Sequence, residues 1–160
     1  GVVLHKAALD VTPEEWLDVI NVNLNGIFFV AQAFGRYLTA RHKGGAIVNT
    51  ASMSGTIVNY PQEQASYNSS KAGVMQLTKS LAVEWCGKGI RVNCISPGYM
   101  KTELCNQVRK DWQDKWLELS PYGRMGTPDE LAGAVIYLLS DSASFTSGCN
   151  LVIDGCFTVV

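Results

Sequence analysis

The sequence has 160 residues, 47% of them hydrophobic, and a formal net charge of −1. That length suits one domain with a buried core, and the balanced charge provides no basic surface for nucleic acid or an anionic membrane. No apolar run reaches the roughly 20 residues that span a bilayer, and the first ten residues lack the features of a signal peptide.

The first predicted element is a long helix that begins at Thr12. Thr12 can act as the cap, Pro13 occupies the first helical position, where no N–H is needed, and Glu15 completes a capping box. Apolar residues then recur at helical spacing as far as Phe34, and the helix should end before Gly44-Gly45.

Asn23-Leu24-Asn25-Gly26 interrupts this otherwise regular helix. One explanation is a local adjustment of packing. The other is a kink that exposes a backbone carbonyl, which together with the Asn23 side chain could hold a water molecule.

Three short apolar runs after this helix predict buried strands, at 46–51, 90–95 and 151–153. A second long helix is predicted at 66–85, stopped by Gly87 and Gly89. A third begins at Thr127, where the capping-box pattern recurs, and continues through Leu139. Strands that alternate with helices predict an α/β fold with a parallel sheet.

An apolar stripe precedes that third helix, formed by Val108, Trp112, Trp116 and Leu119. The stripe predicts either a lid over a substrate or a helix packed on the body of the domain or on another subunit.

The cysteines and histidines show no pattern of ligands or disulfides. The five cysteines include no CxxC pair, so we predict reduced thiols, most of them core filler, in a cytoplasmic protein. His5 and His42 have no second ligand at helical or loop spacing, and no metal site is predicted.

Tyr67 and Lys71 are the central chemical signal. Residues four apart share one face of a helix, so the phenol and the ammonium can occupy one pocket. A free phenol has a pKa of roughly 10, and a nearby ammonium would lower it. The tyrosine could then exchange a proton with an alcohol or a forming alkoxide. By itself the spacing also fits a solvated helix pair.

Two further segments flank this pair. Ser52 follows the first predicted strand, at the edge where open α/β sheets bind ligands, and its hydroxyl could bond a reacting oxygen. Residues 97–102 follow the next strand, and a Pro97-Gly98 turn would let the backbone approach a flat ring while Thr102 bonds a carboxamide. Alone, this segment also reads as an ordinary turn.

In this order, the segments NVNLNG, NTASMSG, YNSSK, RVNCISPGYMKT and TSGCNLVIDG resemble the short-chain dehydrogenase/reductase family over essentially the whole chain. The resemblance implies that Tyr67 is the acid/base, that Lys71 tunes it and bonds the nicotinamide ribose, and that Ser52 orients the substrate oxygen. It also implies that Asn23 anchors a proton-relay water. Ser54 is the second choice, after Ser52, for the family serine. The residues implied to border the nicotinamide are Pro97, Gly98, Met100 and Thr102.

The resemblance also bears on fold, cofactor and assembly. Gly1 would correspond to the glycine that ends the family's NAG segment, so we expect the C-terminal part of a doubly wound parallel-sheet Rossmann fold, without the N-terminal βαβ unit. That unit holds the glycine-rich phosphate loop and the residues that choose the cofactor; NADP is expected, with NAD possible. Besides the expected lack of the βαβ unit, the sequence departs from the family pattern at Cys156, where the family usually has glycine. A homotetramer or homodimer is implied for the complete protein, with the long helices and the last strand at its interfaces.

The stretch from Ala51 to Asn68 is similar to fungal polyol and ketose members of the family, such as NADP-dependent mannitol 2-dehydrogenase and sorbose reductase. The polar residues Asn59, Gln62, Glu63 and Gln64 could meet several substrate hydroxyls, although an exposed polar loop would look the same. We therefore expect Ser52, Gln62, Glu63 and Tyr67 to bind a polyol or ketose. The alternatives are a reductase of another carbonyl, such as a 3-oxoacyl thioester, and an inactive remnant that serves as a folded or oligomerising module.

Overall fold

The computed structural model describes residues 1–106 and 108–160, and in these residues helices alternate with parallel strands. The strands are β1 (Gly45–Thr50), β2 (Ile90–Pro97) and β3 (Asn150–Ile153). The α-helices are α1 (Pro13–Ile20), α2 (Gly26–Ala40), α3 (Ala65–Trp85), α4 (Glu103–Asn106), α5 (Lys110–Leu119) and α6 (Asp129–Leu139). The predicted α/β class is confirmed.

The sheet has the order β1-β2-β3, and both pairings are parallel. Gly45 to Thr50 pair with Ile90 to Ile95, and Cys94 to Pro97 pair with Asn150 to Ile153. Because parallel strands end at the same edge, the segments after β1 and β2 emerge side by side. This edge carries the candidate site.

The helix at the start of the chain begins as predicted. The Thr12 hydroxyl accepts from the Glu15 N–H at 3.3 Å, and the Glu15 carboxylate accepts from the Thr12 N–H at 2.9 Å. The same pattern at Thr127 forms only in part. The Glu130 carboxylate accepts from the Thr127 N–H at 2.8 Å, but the Glu130 N–H bonds the Thr127 carbonyl and not its hydroxyl.

The predicted interruption at Asn23 is a π-helical turn. Between α1 and α2, residues Asn21–Asn25 form i→i+5 hydrogen bonds, with the Gly26 N–H donating to the Asn21 carbonyl. One extra residue per turn rotates the helix and turns the Asn23 side chain into the domain, where it is buried.

Together these segments make one helical stretch, Pro13–Ala40, that by length and composition alone could cross a membrane; among the described residues it is the one helix that qualifies. The sequence expectation that no stretch reaches this length was wrong. Its buried side chains, such as Val19, Ala31 and Leu38, pack into the α/β domain, whereas Phe29 and Val30 are exposed.

The core lies between the sheet and helices α2 and α3. Its buried residues are Ala31, Leu38, Leu81, Ala82, Ile90 and Val92, with a second group of Ala51, Val74 and Cys94 nearer the site. All five cysteines are free in the structure, but the prediction that most of them fill the core was wrong. Of the five, Cys94 alone is buried; Cys86 and Cys156 are exposed, and Cys105 and Cys149 are half-buried.

Candidate active site

Ser52 lies just beyond β1, in a loop held against helix α3. A Cβ on Gly55 would come within 2.7 Å of the Lys71 and Ala72 backbone, so the absence of a side chain there permits this approach. Ser52 is buried, and its hydroxyl accepts from the Ser54 N–H at 3.1 Å. Ser54 is also buried, and its hydroxyl lies 3.5 Å from the Gln64 amide nitrogen.

Tyr67 and Lys71 lie one turn apart on α3, as predicted, and both face Ser52 and the end of β1. The Lys71 Nζ is 5.6 Å from the centre of the Tyr67 ring and donates to the Thr50 carbonyl at 2.9 Å. Since Thr50 ends β1, this bond ties the helix to the edge of the sheet beside Ser52.

The electrostatics of the pair differ from the sequence expectation. Burial raises the pKa of the Tyr67 phenol, and the nearby Ser52 hydroxyl opposes that rise. Burial also lowers the pKa of the Lys71 ammonium. The group that favours the phenolate in this structure is therefore Ser52, because the Lys71 ammonium points to a carbonyl and not to the phenol.

Asn23 supports the site from the side of the π-turn. Its Oδ1 accepts from the Val2 N–H at 2.8 Å, and its Nδ2 donates to the Val2 carbonyl at 2.8 Å and to the Ser70 hydroxyl at 3.1 Å. Ser70 in turn donates to the Tyr67 carbonyl at 2.7 Å. Both amide hydrogens are thus used inside the protein. A water at this turn would have to bond a backbone carbonyl, without the amide hydrogens that we expected to help hold it.

The segment after β2 contributes the opposite wall. A Cβ on Gly98 would meet the Asp154 Cα at 2.7 Å, so the glycine allows close packing against the end of β3. The role expected for Gly98 from the sequence was to let the backbone approach a flat ring. The Thr102 hydroxyl accepts from the Cys105 N–H at 3.4 Å, at the start of the short helix α4.

These walls enclose a cavity of about 290 Å³. Seven predicted cofactor or catalytic residues line it: Ser52, Tyr67, Lys71, Pro97, Gly98, Met100 and Thr102. Asn23 lines an adjoining groove beside β1, which shares Gly1, Thr50 and Lys71 with the cavity.

Of the predicted substrate residues, Ser52, Gln62 and Tyr67 line the cavity and Glu63 does not. Glu63 is exposed and is not part of the cavity lining, whereas Gln62 is buried and lines it. The Gln62 amide, however, already bonds two aromatic side chains, Trp116 and Tyr99. Glu63, which we expected to bind the substrate, thus lies outside the cavity lining, whereas Gln62 belongs to it.

Tyr99 and Trp116 are cavity residues that the sequence analysis did not assign to the site. Their rings stack with centroids 4.1 Å apart, and Trp116 is buried. Helix α5 therefore packs on the body of the domain and closes one side of the cavity. The apolar stripe in the sequence included Trp116. Its stacking partner Tyr99 lies in the turn after β2, where no periodic pattern marks a buried residue.

Comparison with known proteins agrees with this geometry. The sequence model of the family described as enoyl-(acyl carrier protein) reductase matches residues 1–158. The crystal structure of a short-chain type dehydrogenase/reductase from Mycobacterium marinum is similar over the whole chain, with a TM-score of 0.97 and 44% identity. The chain belongs to the short-chain dehydrogenase/reductase family.

The short-chain dehydrogenases most similar to this chain include proteins named for sugar alcohols and ketoses. Galactitol 2-dehydrogenase (L-tagatose-forming) of Cereibacter sphaeroides is 45% identical over 99% of this chain. Sorbose reductase of Candida albicans is 43% identical over 91%, and NADP-dependent mannitol dehydrogenase of Alternaria alternata is 46% identical over 99%. The chain spans 63%, 51% and 59% of the length of these three relatives, in that order.

Solved short-chain dehydrogenase structures are also longer than this chain. The chain covers 63% of the Mycobacterium marinum protein. It covers 62% of a gluconate 5-dehydrogenase from Burkholderia cenocepacia in complex with NADP and tartrate, with a TM-score of 0.93 and 34% identity.

The residues of the cavity fit the nicotinamide end of the cofactor that short-chain dehydrogenases use. Lys71 offers an ammonium, Thr102 a hydroxyl, and Pro97 and Met100 an apolar surface, all in the lining of one cavity. The described residues contain no glycine-rich loop ahead of a helix, which is the usual cradle for a pyrophosphate.

Proposed function

We propose that this chain is the catalytic part of an NADP-dependent oxidoreductase that converts a ketose to a polyol and back. The observation that carries the proposal is that Ser52, Tyr67 and Lys71 line one cavity, whose lining also includes buried amides.

In the reduction, Tyr67 gives its proton to the carbonyl oxygen as that oxygen becomes a hydroxyl. Burial raises the pKa of Tyr67 and so keeps the proton available as the acid. A bound nicotinamide would supply the hydride for the carbonyl carbon, and in the oxidation it would accept one. The phenolate left after reduction regains a proton from solvent.

Ser52 donates a hydrogen bond to the same oxygen, where negative charge develops in the transition state. The Ser52 hydroxyl also lowers the pKa of the Tyr67 phenol and so favours the phenolate, which is the base for the oxidation. Lys71 would bond the nicotinamide ribose, for which its Nζ would exchange part of its present contact with the Thr50 carbonyl.

The cavity and the relatives support this substrate class. A site of about 290 Å³ suits a small molecule, and its buried amides Asn59, Gln62 and Gln64 carry no charge. The names of the relatives given above refer to galactitol, sorbose and mannitol. A reductase of acyl thioesters is the second candidate, because the matching family model is described as an enoyl-(acyl carrier protein) reductase.

The test uses an extended chain, in which this sequence is fused behind the N-terminal segment of the Cereibacter sphaeroides relative. With NADPH, we expect a higher kcat/KM for fructose or sorbose than for an acetoacetyl thioester. The opposite preference would support the thioester candidate, and no turnover of either would support the inactive-remnant alternative.

Tyr67→Phe removes only the titrating proton, so kcat should fall by roughly 10²–10⁴-fold while NADPH binding is retained. The matched control is Tyr122→Phe, because Tyr122 is exposed and does not line the cavity. Near-normal turnover in Tyr67→Phe would contradict the role of this residue.

The homotetramer or homodimer and the cytoplasmic location stay predictions that light scattering and cell fractionation can test.

A further inference from the structure

A chain of hydrogen bonds fixes the orientation of the Gln62 amide at the wall of the cavity. The Trp116 Nε1–H donates to the Gln62 Oε1 at 2.9 Å, and the Gln62 Nε2 donates to the Tyr99 Oη at 2.9 Å. An indole N–H can only donate, so the amide oxygen must face Trp116. The Gln62 Nε2 must then face Tyr99, and the phenol oxygen accepts this bond.

A second amide reaches the same oxygen from the other side. The Asn59 Nδ2 donates to the Tyr99 Oη at 2.9 Å, and the Asn59 Oδ1 accepts from the Gln64 Nε2 at 3.1 Å. Gln64 also donates to the Asn68 Oδ1 at 2.8 Å. Asn59, Gln62 and Gln64 are all buried, so these partners are not exchanged freely with solvent.

The phenol oxygen of Tyr99 has two lone pairs, and two amide N–H groups occupy them. Its own proton must therefore be donated in another direction. Among residues 1–106 and 108–160, no hydrogen bond donated by the Tyr99 hydroxyl is formed. Two N–H donors polarise the phenol and make its O–H a stronger donor to a third group.

The ring of Tyr99 is rigidly held. It stacks on Trp116 with an interplanar angle of 8°, and it packs edge-on against Phe157 with centroids 5.3 Å apart. Tyr99 lines the same cavity as Ser52 and Tyr67. A donor with a fixed ring and no internal acceptor in the described chain is thus available to a ligand.

We propose that the Tyr99 O–H donates a hydrogen bond to a hydroxyl of the substrate, away from the reacting carbon, and so selects polyhydroxy compounds over simple ketones. This inference rests on the proposed function, because it assigns a specificity-determining residue to the same site. Gln62 and Asn59 act through Tyr99 as positioning residues.

Tyr99→Phe in the extended chain tests the proposal, because it removes the hydroxyl and keeps the ring stack. Two substrates are compared: fructose, and 2-hexanone, which has the same carbon chain and carbonyl position without the hydroxyls. We expect kcat/KM for fructose to fall about 10-fold, as for loss of one hydrogen bond, and that for 2-hexanone to change less than about twofold. Tyr122→Phe should leave both values unchanged.

Asn59→Asp provides an independent test with the Tyr99 hydroxyl retained. The new carboxylate has the same shape but only accepts, so it should take the Tyr99 proton away from the substrate. Fructose preference should then fall in this variant also. Equal losses on both substrates, or no loss on fructose, would overturn the inference while leaving the proposed function intact. A parent enzyme that reduces 2-hexanone but not fructose would overturn both.

Discussion

Replacing Asn23 by alanine should destabilise the domain, because this buried side chain joins the start of the chain to helix α3. Three hydrogen bonds are lost: two with the Val2 backbone at 2.8 Å and one with the Ser70 hydroxyl at 3.1 Å. Each is worth roughly 0.5–1.5 kcal/mol net, so we expect the free energy of unfolding to fall by about 2–4 kcal/mol.

Asn25→Ala is the matched control, since it changes the same residue type in the same π-turn. Within residues 1–106 and 108–160, the Asn25 amide bonds only the Asn21 side chain, in an exposed contact, so its loss should cost less than about 0.5 kcal/mol.

Urea denaturation followed by tryptophan fluorescence measures both variants, with the slope m checked for constancy. Equal midpoints for Asn23→Ala and Asn25→Ala would refute the structural role of the Asn23 side chain. A destabilised Asn23→Ala variant would show that this asparagine matters to the fold before any contribution to proton transfer is considered.

Three further outcomes can be measured directly. Ser52→Ala removes the hydroxyl that lowers the pKa of Tyr67, so the rise of polyol oxidation with pH should move to higher pH in the kcat/KM profile; an unchanged profile would contradict this link. The Arg124 guanidinium lowers the pKa of Glu130 to about 2, so this pair stabilises the fold above the ordinary carboxyl pKa and loses that effect as pH falls towards 2. The Tm deficit of Glu130→Gln at pH 7 should therefore vanish near pH 2, and a constant deficit would argue against the pairing. Fluorescence titration should show that the 160-residue chain binds NADPH at least about 10-fold more weakly than the extended chain, since its described residues offer no phosphate loop; equal affinities would contradict that reasoning.

Packing and burial produced the features that the sequence analysis misjudged. Glu63 is next to Gln62 in the chain, yet one is exposed and the other is buried against Trp116, which is 54 positions away. Residues 62 and 63 carry similar polar side chains, so no local pattern distinguishes them. The direction of the Tyr67 pKa shift also differed from the expectation, because desolvation of the phenol depends on every element packed around it. In addition, the Lys71 ammonium donates to the Thr50 carbonyl and not to the phenol.

The sequence by itself determined the order and type of the main elements and the positions of Ser52, Tyr67 and Lys71, because these depend on neighbours within one or two turns. The cap at Thr12, the interrupted helix at Asn23 and the runs that became β1 and β2 are signals of that kind. Only the tertiary structure decided that the Tyr99 phenol, in the turn after β2, meets amides from the loop before α3 and an indole from α5. The physical reason is that such contacts join residues far apart in the chain, and their geometry exists only once the sheet has brought those segments to one edge.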